Sequence, residues 1–241
     1  MFTRVVEYLA DGVDSSSTPA VKEFIDGKAW IIEDLLSAEE CAAMIKASEE
    51  TLNYEEVAAF RQYRHCYRVK FEDQELLQWL YTKVQPLLPE FKPNWDAQEA
   101  ESSSEEEFYA NGEWNPCGLN RYPRMCKYIA SGHHFARHYD YSVSESKTRR
   151  SFLTFMVYLN SQGTSFKGGS TNFLDPFSKE LRVSISPHAG LAVLFLQDEG
   201  NLLLHEGERI KGGHKYIFRT EVMYEFTPTE LSPRTREINS L

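Results

Sequence analysis

Nine consecutive residues, Ser151-Phe-Leu-Thr-Phe-Met-Val-Tyr-Leu159, carry no charge. An apolar run of this length is the mark of a strand covered on both faces. Alternate side chains of a strand point to opposite faces, and here the two faces differ in chemistry. Leu153, Phe155, Val157 and Leu159 are purely aliphatic or aromatic, which suits packing on helices. Phe152, Thr154, Met156 and Tyr158 mix in hydroxyls, which suits the lining of a pocket. The rest of the C-terminal half keeps the same style from Met125 onward. Gly168-Gly169 turns into Ser170–Leu174, Leu181–Ile185 is short and alternating, and Pro187-His-Ala-Gly190 turns into Leu191–Leu196. Leu202–His205 and His214–Tyr224 complete a set of about eight short strands with Gly/Pro punctuation, the pattern of a barrel or jelly roll.

The N-terminal half is of a different kind. Residues 1–27 read as an extension: a short helix, the linker Ser15-Ser-Ser-Thr18 and a lead-in. Ala29–Ile32 makes a short strand. Ser37 and Glu40 have capping-box spacing, with Leu36 placed to staple onto Cys41, so a helix starts there. Glu72–Gln85 forms a second amphipathic helix, with Leu76, Leu77, Leu80 and Val84 on one stripe and Pro86 as its stop. Both helices are expected to buttress a sheet. Residues 92–120 include the acidic, low-complexity stretch Glu101-Ser-Ser-Ser-Glu-Glu-Glu107 and read as a solvated loop or lid.

Composition sets outer bounds. The 241 residues allow one large domain with a sizeable core. A net charge of −10 argues against nucleic-acid or anionic-membrane binding through bulk charge. The N-terminus lacks an apolar signal core, and no later run approaches a membrane span. Cys41, Cys66, Cys117 and Cys126 are scattered without CxxC spacing, as expected of reduced thiols in a cytoplasmic setting.

The chemistry concentrates in His138-Tyr139-Asp140. Spacing by two on a strand aims an imidazole and a carboxylate at one point. About one His-x-Asp/Glu is expected by chance in a chain with this many histidines and acids, and this is the one that occurs. Its weight therefore comes from the residues placed at fixed intervals beyond it. Two histidines and a carboxylate on one face of an ion suit non-haem Fe(II), and His205 is the third ligand proposed. On the last strand Lys215, Ile217, Arg219 and Glu221 share one face, and Tyr216, Phe218, Thr220 and Val222 the other. Charges on such a face fit a bare outer edge. Inside a barrel they would instead need an anionic partner, which an anionic cosubstrate would supply.

Taken together these residues resemble the Fe(II)/2-oxoglutarate-dependent dioxygenase superfamily, and within it the prolyl 4-hydroxylase-like branch. The resemblance rests on His138-Tyr-Asp140, then His205, then Lys215 ten positions further on. Supporting pieces are Tyr128, Tyr158-Leu-Asn160, Gly168-Gly-Ser-Thr-Asn-Phe173, Pro187-x-x-Gly190 and His205-Glu-Gly207. It spans about 120–225 and, more weakly, Ile31–Ser48. It implies a double-stranded β-helix (jelly-roll) core over 119–226, in a mainly β domain of residues 28–241. Helical support would occupy 28–118 and a C-terminal tail 227–241.

By matching position, His138, Asp140 and His205 would hold the iron. Lys215 would pair with the distal carboxylate of 2-oxoglutarate, with Arg219 as second anchor or substitute, since some superfamily members place the anchoring Arg about that far on. Tyr158 would help hold that carboxylate, and Tyr128 would line the same pocket. The implied reaction is hydroxylation of an unactivated C–H bond with release of succinate and CO2. Fe(II), 2-oxoglutarate and O2 are the implied cofactors, with ascorbate a candidate reductant. A prolyl residue of a protein or peptide is the substrate that the resemblance suggests, a small molecule the other option. The cations Lys147, Arg149 and Arg150 of the loop 141–150 are expected to edge the substrate mouth and to favour an acidic substrate. Two other classes share the pattern: a cupin-type metalloprotein that does not use 2-oxoglutarate, and a non-catalytic binding module on the same barrel. The remaining histidines, His65, His133, His134, His188 and His214, are assigned to turns and rims.

Overall fold

A computed structural model describes residues 18–58, 60–90, 112–197 and 203–228. The expected N-terminal helix, the acidic stretch Glu101–Glu107 and the tail beyond residue 228 lie outside the described residues.

In chain order the elements are β1 (Ala20–Ile25), β2 (Ala29–Glu33), α1 (Ala38–Thr51), β3 (Glu55–Val57), β4 (Arg64–Lys70) and α2 (Gln74–Val84). Next come β5 (Gly112–Leu119), β6 (Arg124–Ile129), β7 (His134–His138), β8 (Ser144–Ser146) and β9 (Arg149–Tyr158). The last are β10 (Phe166–Gly168), β11 (Thr171–Leu174), β12 (Leu181–Ile185), β13 (Ala192–Leu196), β14 (His205–Gly207) and β15 (Ile210–Pro228). The strands are ordered β1-β2-β13-β9-β15-β6-β4-β7-β14-β11-β12. The fold is mainly β with supporting helices, and its core is the jelly roll. One wall runs from β1 to β4, and the other from β7 to β12.

The helices form where their local signals place them. Ser37 accepts from the Glu40 N–H at 3.1 Å, and the Glu40 carboxylate takes the Ser37 N–H at 2.8 Å, a complete capping box. Helix α2 starts at Gln74 rather than at Glu72, because Asp73 is its cap and accepts from the Leu76 N–H at 2.9 Å. Both helices lie on the outer face of the first wall. Leu76, Leu80, Val84 and Met44 share a buried cluster with Leu153, Phe155, Val157 and Leu159, the aliphatic face of β9. The other face of β9 turns inward, where Met156 and Tyr158 join a second cluster with Phe173, Phe195 and Ile217. Phe152 departs from its face and packs edge-on against Trp114 and Tyr224.

The last strand is not an edge. β15 is flanked by β9 and β6, so the charged face of Lys215, Arg219 and Glu221 is enclosed. Of the four strands ahead of β5, only Ala29–Ile32 is legible in the sequence, and β4 is the most important of the others. Its first half pairs with β7 (Arg64 with Phe135), and its second half with β6 (Arg68 with Cys126). It is thus the corner where the two walls meet.

Two glycines in the sequence motifs are required sterically. At Gly190 (φ 87°) a Cβ would collide with the Leu36 carbonyl oxygen. Gly190 N–H donates to Tyr158 O at 2.9 Å while its carbonyl accepts from Leu35 N–H at 3.1 Å, which ties the start of α1 to β9. Gly169 (φ 77°) leaves room for Ile210, onto which a Cβ would project. The four cysteines are unpaired.

Candidate active site

The two histidines meet because of register. His205 opens β14 and lies directly opposite His138, the last residue of β7, so their rings come to 4.1 Å between centroids. Asp140, two residues past His138, completes the group. One donor atom from each of the three residues lies within 4.8 Å of the others. His138 Nε2 is 3.6 Å from Asp140 Oδ1, and His205 Nε2 is 3.9 Å from Asp140 Oδ2.

The orientation of each imidazole is set from behind. His138 Nδ1–H donates to Ala136 O at 2.8 Å, and His205 Nδ1–H donates to Leu203 O at 3.0 Å. A carbonyl can only accept, so both Nδ1 atoms carry the proton and both Nε2 lone pairs face Asp140. Burial pushes His138 down to about 3, and burial also lowers His205, so both rings are neutral at ordinary pH. For Asp140 burial opposes ionisation, but Arg219 and the two imidazoles outweigh it and hold the carboxyl below its usual range. Two neutral imidazole nitrogens and one carboxylate, buried and convergent, are a donor set that fits a divalent first-row ion with coordination sites to spare.

Asp140 is held firmly through one oxygen. Oδ2 accepts from Arg219 Nη2 at 2.8 Å and from Thr154 Oγ1 at 2.8 Å. Behind Thr154, Gln197 Nε2 donates to its hydroxyl at 3.1 Å and Ser151 Oγ donates to Gln197 Oε1 at 2.7 Å. Arg219 also lies 3.6 Å from Glu221, which is bound more tightly by Arg124 at 2.6 Å and by Asn120 at 2.6 Å. Arg219 is therefore engaged with carboxylates of the chain itself.

Lys215 is different. It is buried, its ammonium donates to Gly169 O at 2.5 Å and sits 5.1 Å from the Tyr158 ring, and among the described residues no carboxylate pairs with it. Burial pushes it down to about 7. The Tyr158 hydroxyl donates to Thr171 Oγ1 at 2.6 Å, and it is Thr171 that lines the cavity, with Tyr158 behind it. Tyr128 lines the cavity, as do His138, Asp140, His205, Lys215 and Arg219. All seven residues singled out in the sequence thus gather in or against one cavity.

Several neighbours escape a reading of the sequence. Thr154 and Thr171 are legible there only as hydroxyls on apolar strands. Phe135, stacked on His138 at 3.6 Å, and Arg64, whose Cζ lies 4.2 Å from the Phe135 centroid, belong to strand faces that carry no motif. The loop cations are taken up locally: Arg149 Nε donates to Glu145 at 2.8 Å and Arg150 Nη2 to Ser142 at 2.9 Å. The other histidines stay out of the cluster. His65 pairs with Glu56 at 2.8 Å, His188 with Glu33 at 2.8 Å, and His134 contacts the carbonyls of Gly132 and Gln62.

Residues 118–220 match the model of the 2OG-Fe(II) oxygenase superfamily. No curated protein matches the chain. Among solved structures, the 2-oxoglutarate complex of a viral collagen prolyl hydroxylase from Paramecium bursaria Chlorella virus-1 is similar at TM-score 0.51 and 19% identity, covering 89% of this chain and 99% of that one. A Trichoplax adhaerens prolyl hydroxylase in complex with a hypoxia inducible factor peptide fragment gives TM-score 0.54 and 16% identity over 83% and 84%. A Pseudomonas putida prolyl-4-hydroxylase gives 0.51 and 15% over 92% and 98%.

Proposed function

We propose that this chain, whose core is a 2OG-Fe(II) oxygenase domain, hydroxylates an unactivated C–H bond in a protein or peptide, with a prolyl residue as the target. The observation that carries the reading is the convergence of His138, Asp140 and His205 with a buried Lys215 that lacks a carboxylate partner among the described residues. The fold shared with prolyl hydroxylases, one of them bound to a peptide, supports the substrate class.

When bound, Fe(II) with 2-oxoglutarate and O2 supplies the oxidising power for inserting oxygen, the cosubstrate leaving as succinate and CO2. The chain supplies placement. His138 and His205 would present their Nε2 lone pairs, and Asp140 its Oδ1, the oxygen that Arg219 and Thr154 leave free. Lys215 would take the distal carboxylate, its ammonium already fixed by Gly169 O. Thr171, oriented by the Tyr158 hydroxyl, is placed to add a hydrogen bond. Arg219 would keep Asp140 ionised and aimed rather than anchor the cosubstrate, which leaves Lys215 as the anchor. Met156, Phe195 and Ile217 wall the cavity with apolar surface and keep water out. Ascorbate is the reductant we would supply.

The test is anaerobic titration with Fe(II) and 2-oxoglutarate, watching for the visible charge-transfer band of the chelate. The band is expected in the wild type, with slow succinate release once air is admitted. Lys215→Ala should weaken 2-oxoglutarate about 10- to 100-fold, as loss of a charge-assisted pair does. A metal site that never shows the band, or a band indifferent to Lys215→Ala, would overturn the assignment.

A further inference from the structure

We infer that Arg64 and Arg68 on β4 form an anion-binding wall beside the ligand cluster, and that this wall selects peptide substrates carrying an acidic residue next to the target prolyl. This names the substrate class of the site proposed above and rests on that reading.

Register defines the wall. Arg68 lies opposite Cys126 and Cys126 opposite Ile217, while Arg124 lies opposite Arg219. With alternation along each strand, Arg64, Arg68 and Lys70, Arg124, Lys215 and Arg219 all share this face, with Lys70 at its exposed end over the Tyr122 ring. Glu208 on the cavity wall acts on Lys215 without forming an ion pair with it, and among the described residues the carboxylates paired with the enclosed cations are Asp140 and Glu221. They are taken by Arg219 and by Arg124. Lys215 is matched by a cosubstrate carboxylate. Arg64 and Arg68 are left over.

Arg64 is held in place without being neutralised. Its Nε donates to Cys66 Sγ at 3.3 Å and its Nη2 to Cys126 Sγ at 3.5 Å, and thiols are weak acceptors. Burial pushes the Cys66 thiol up, so it offers no counter-charge. The guanidinium lies over Phe135, which also stacks on the His138 ring and meets Tyr63 edge-on, so one aromatic ring separates the cation from the ligand cluster. Arg68 is half-buried, and burial together with the Arg64 charge lowers it. Burying unpaired charge is costly, and a bound carboxylate removes that cost. A guanidinium fork suits a planar carboxylate. A polyanion such as nucleic acid suits the molecule poorly, because two free arginines face a net charge of −10.

The experiment uses the full chain loaded with Mn(II) and 2-oxoglutarate under argon. Fluorescein-labelled peptides with a central proline in an alanine host carry Glu, Gln or Lys at one of the three positions on either side. Anisotropy should show a Glu peptide binding about tenfold tighter than its Lys counterpart at one position, as one charge-assisted pair gives. Arg64→Gln and Arg68→Gln should each shrink that ratio severalfold, and Arg64→Lys should keep part of it. Absence of acidic preference at every position overturns the inference, as does a preference untouched by both glutamine variants. If Arg64→Gln instead raises the 2-oxoglutarate midpoint while peptide preference stays, the cation belongs to the cosubstrate and the inference falls. Should Arg64→Gln not fold, Arg68→Gln decides alone by the same criterion. Failure of the dioxygenase reading would show separately, as a missing chelate band and no succinate release.

Discussion

Arg219 and Lys215 lie two turns of the pleat apart on one face of β15, yet they do different work. Arg219 donates to Asp140 Oδ2, and Lys215 faces the cavity with no carboxylate of its own among the described residues. Arg219→Gln should therefore weaken metal binding about 10- to 100-fold, the usual effect of losing a group that orients a ligand. A competition titration with a metal-sensitive dye reads this, and a larger effect on 2-oxoglutarate than on metal would contradict it. The pH response belongs to Lys215. Burial pushes it down to about 7, and only the ammonium form pairs with a carboxylate. Above pH 7 the free site loses that proton, so binding must recover it, and the 2-oxoglutarate Kd should climb about tenfold per pH unit until the bound-state value is passed. Lys215→Arg, charged throughout this range, should flatten the profile. An identical slope in both proteins would refute the role given to Lys215.

At the scale of elements, the turn before β11 is set by Gly169. Its left-handed backbone and the proximity of Ile210 leave no space for a Cβ, and its carbonyl holds Lys215. Gly169→Ala should cost about 1–3 kcal/mol, seen as a lower melting temperature, and weaken 2-oxoglutarate as well. A neutral substitution would mean that the turn relaxes freely. This glycine is legible in the sequence as part of a motif, and so are the two helices, whose caps and stripes are local signals. His138 and Asp140 are legible as a pair spaced by two, although the strand expected to carry both ends at His138 and Asp140 lies just beyond it. β4 is not. Arg64-His-Cys-Tyr-Arg-Val-Lys70 alternates charge with half-apolar residues in a chain segment dominated by helices, and its inner-face arginines look like a solvated edge until the strands around it are known. Arg219 is legible as a cation on the correct face. Its partner is not, because Asp140 reaches it from the segment after β7 through tertiary packing alone.

For the whole molecule, the ligand positions 138 and 205 face each other on neighbouring strands but are separated in the chain by β8 to β13. An ion held by both should therefore stabilise the fold as a whole. At 100 times its Kd it should add about 2.7 kcal/mol by linkage, with a rise in melting temperature that chelation reverses and that His205→Ala abolishes. A melting point indifferent to added Fe(II) or Mn(II) under argon would count against a centre that ties β7 to β14. The pairing of His138 with His205 has one more effect. Slippage of β14 by a single position would swing its imidazole to the outside of the barrel, because neighbouring residues face opposite ways. Capture of the ion therefore proofreads the closure of the second wall: only correctly aligned molecules acquire it, and those that do are latched against slipping back.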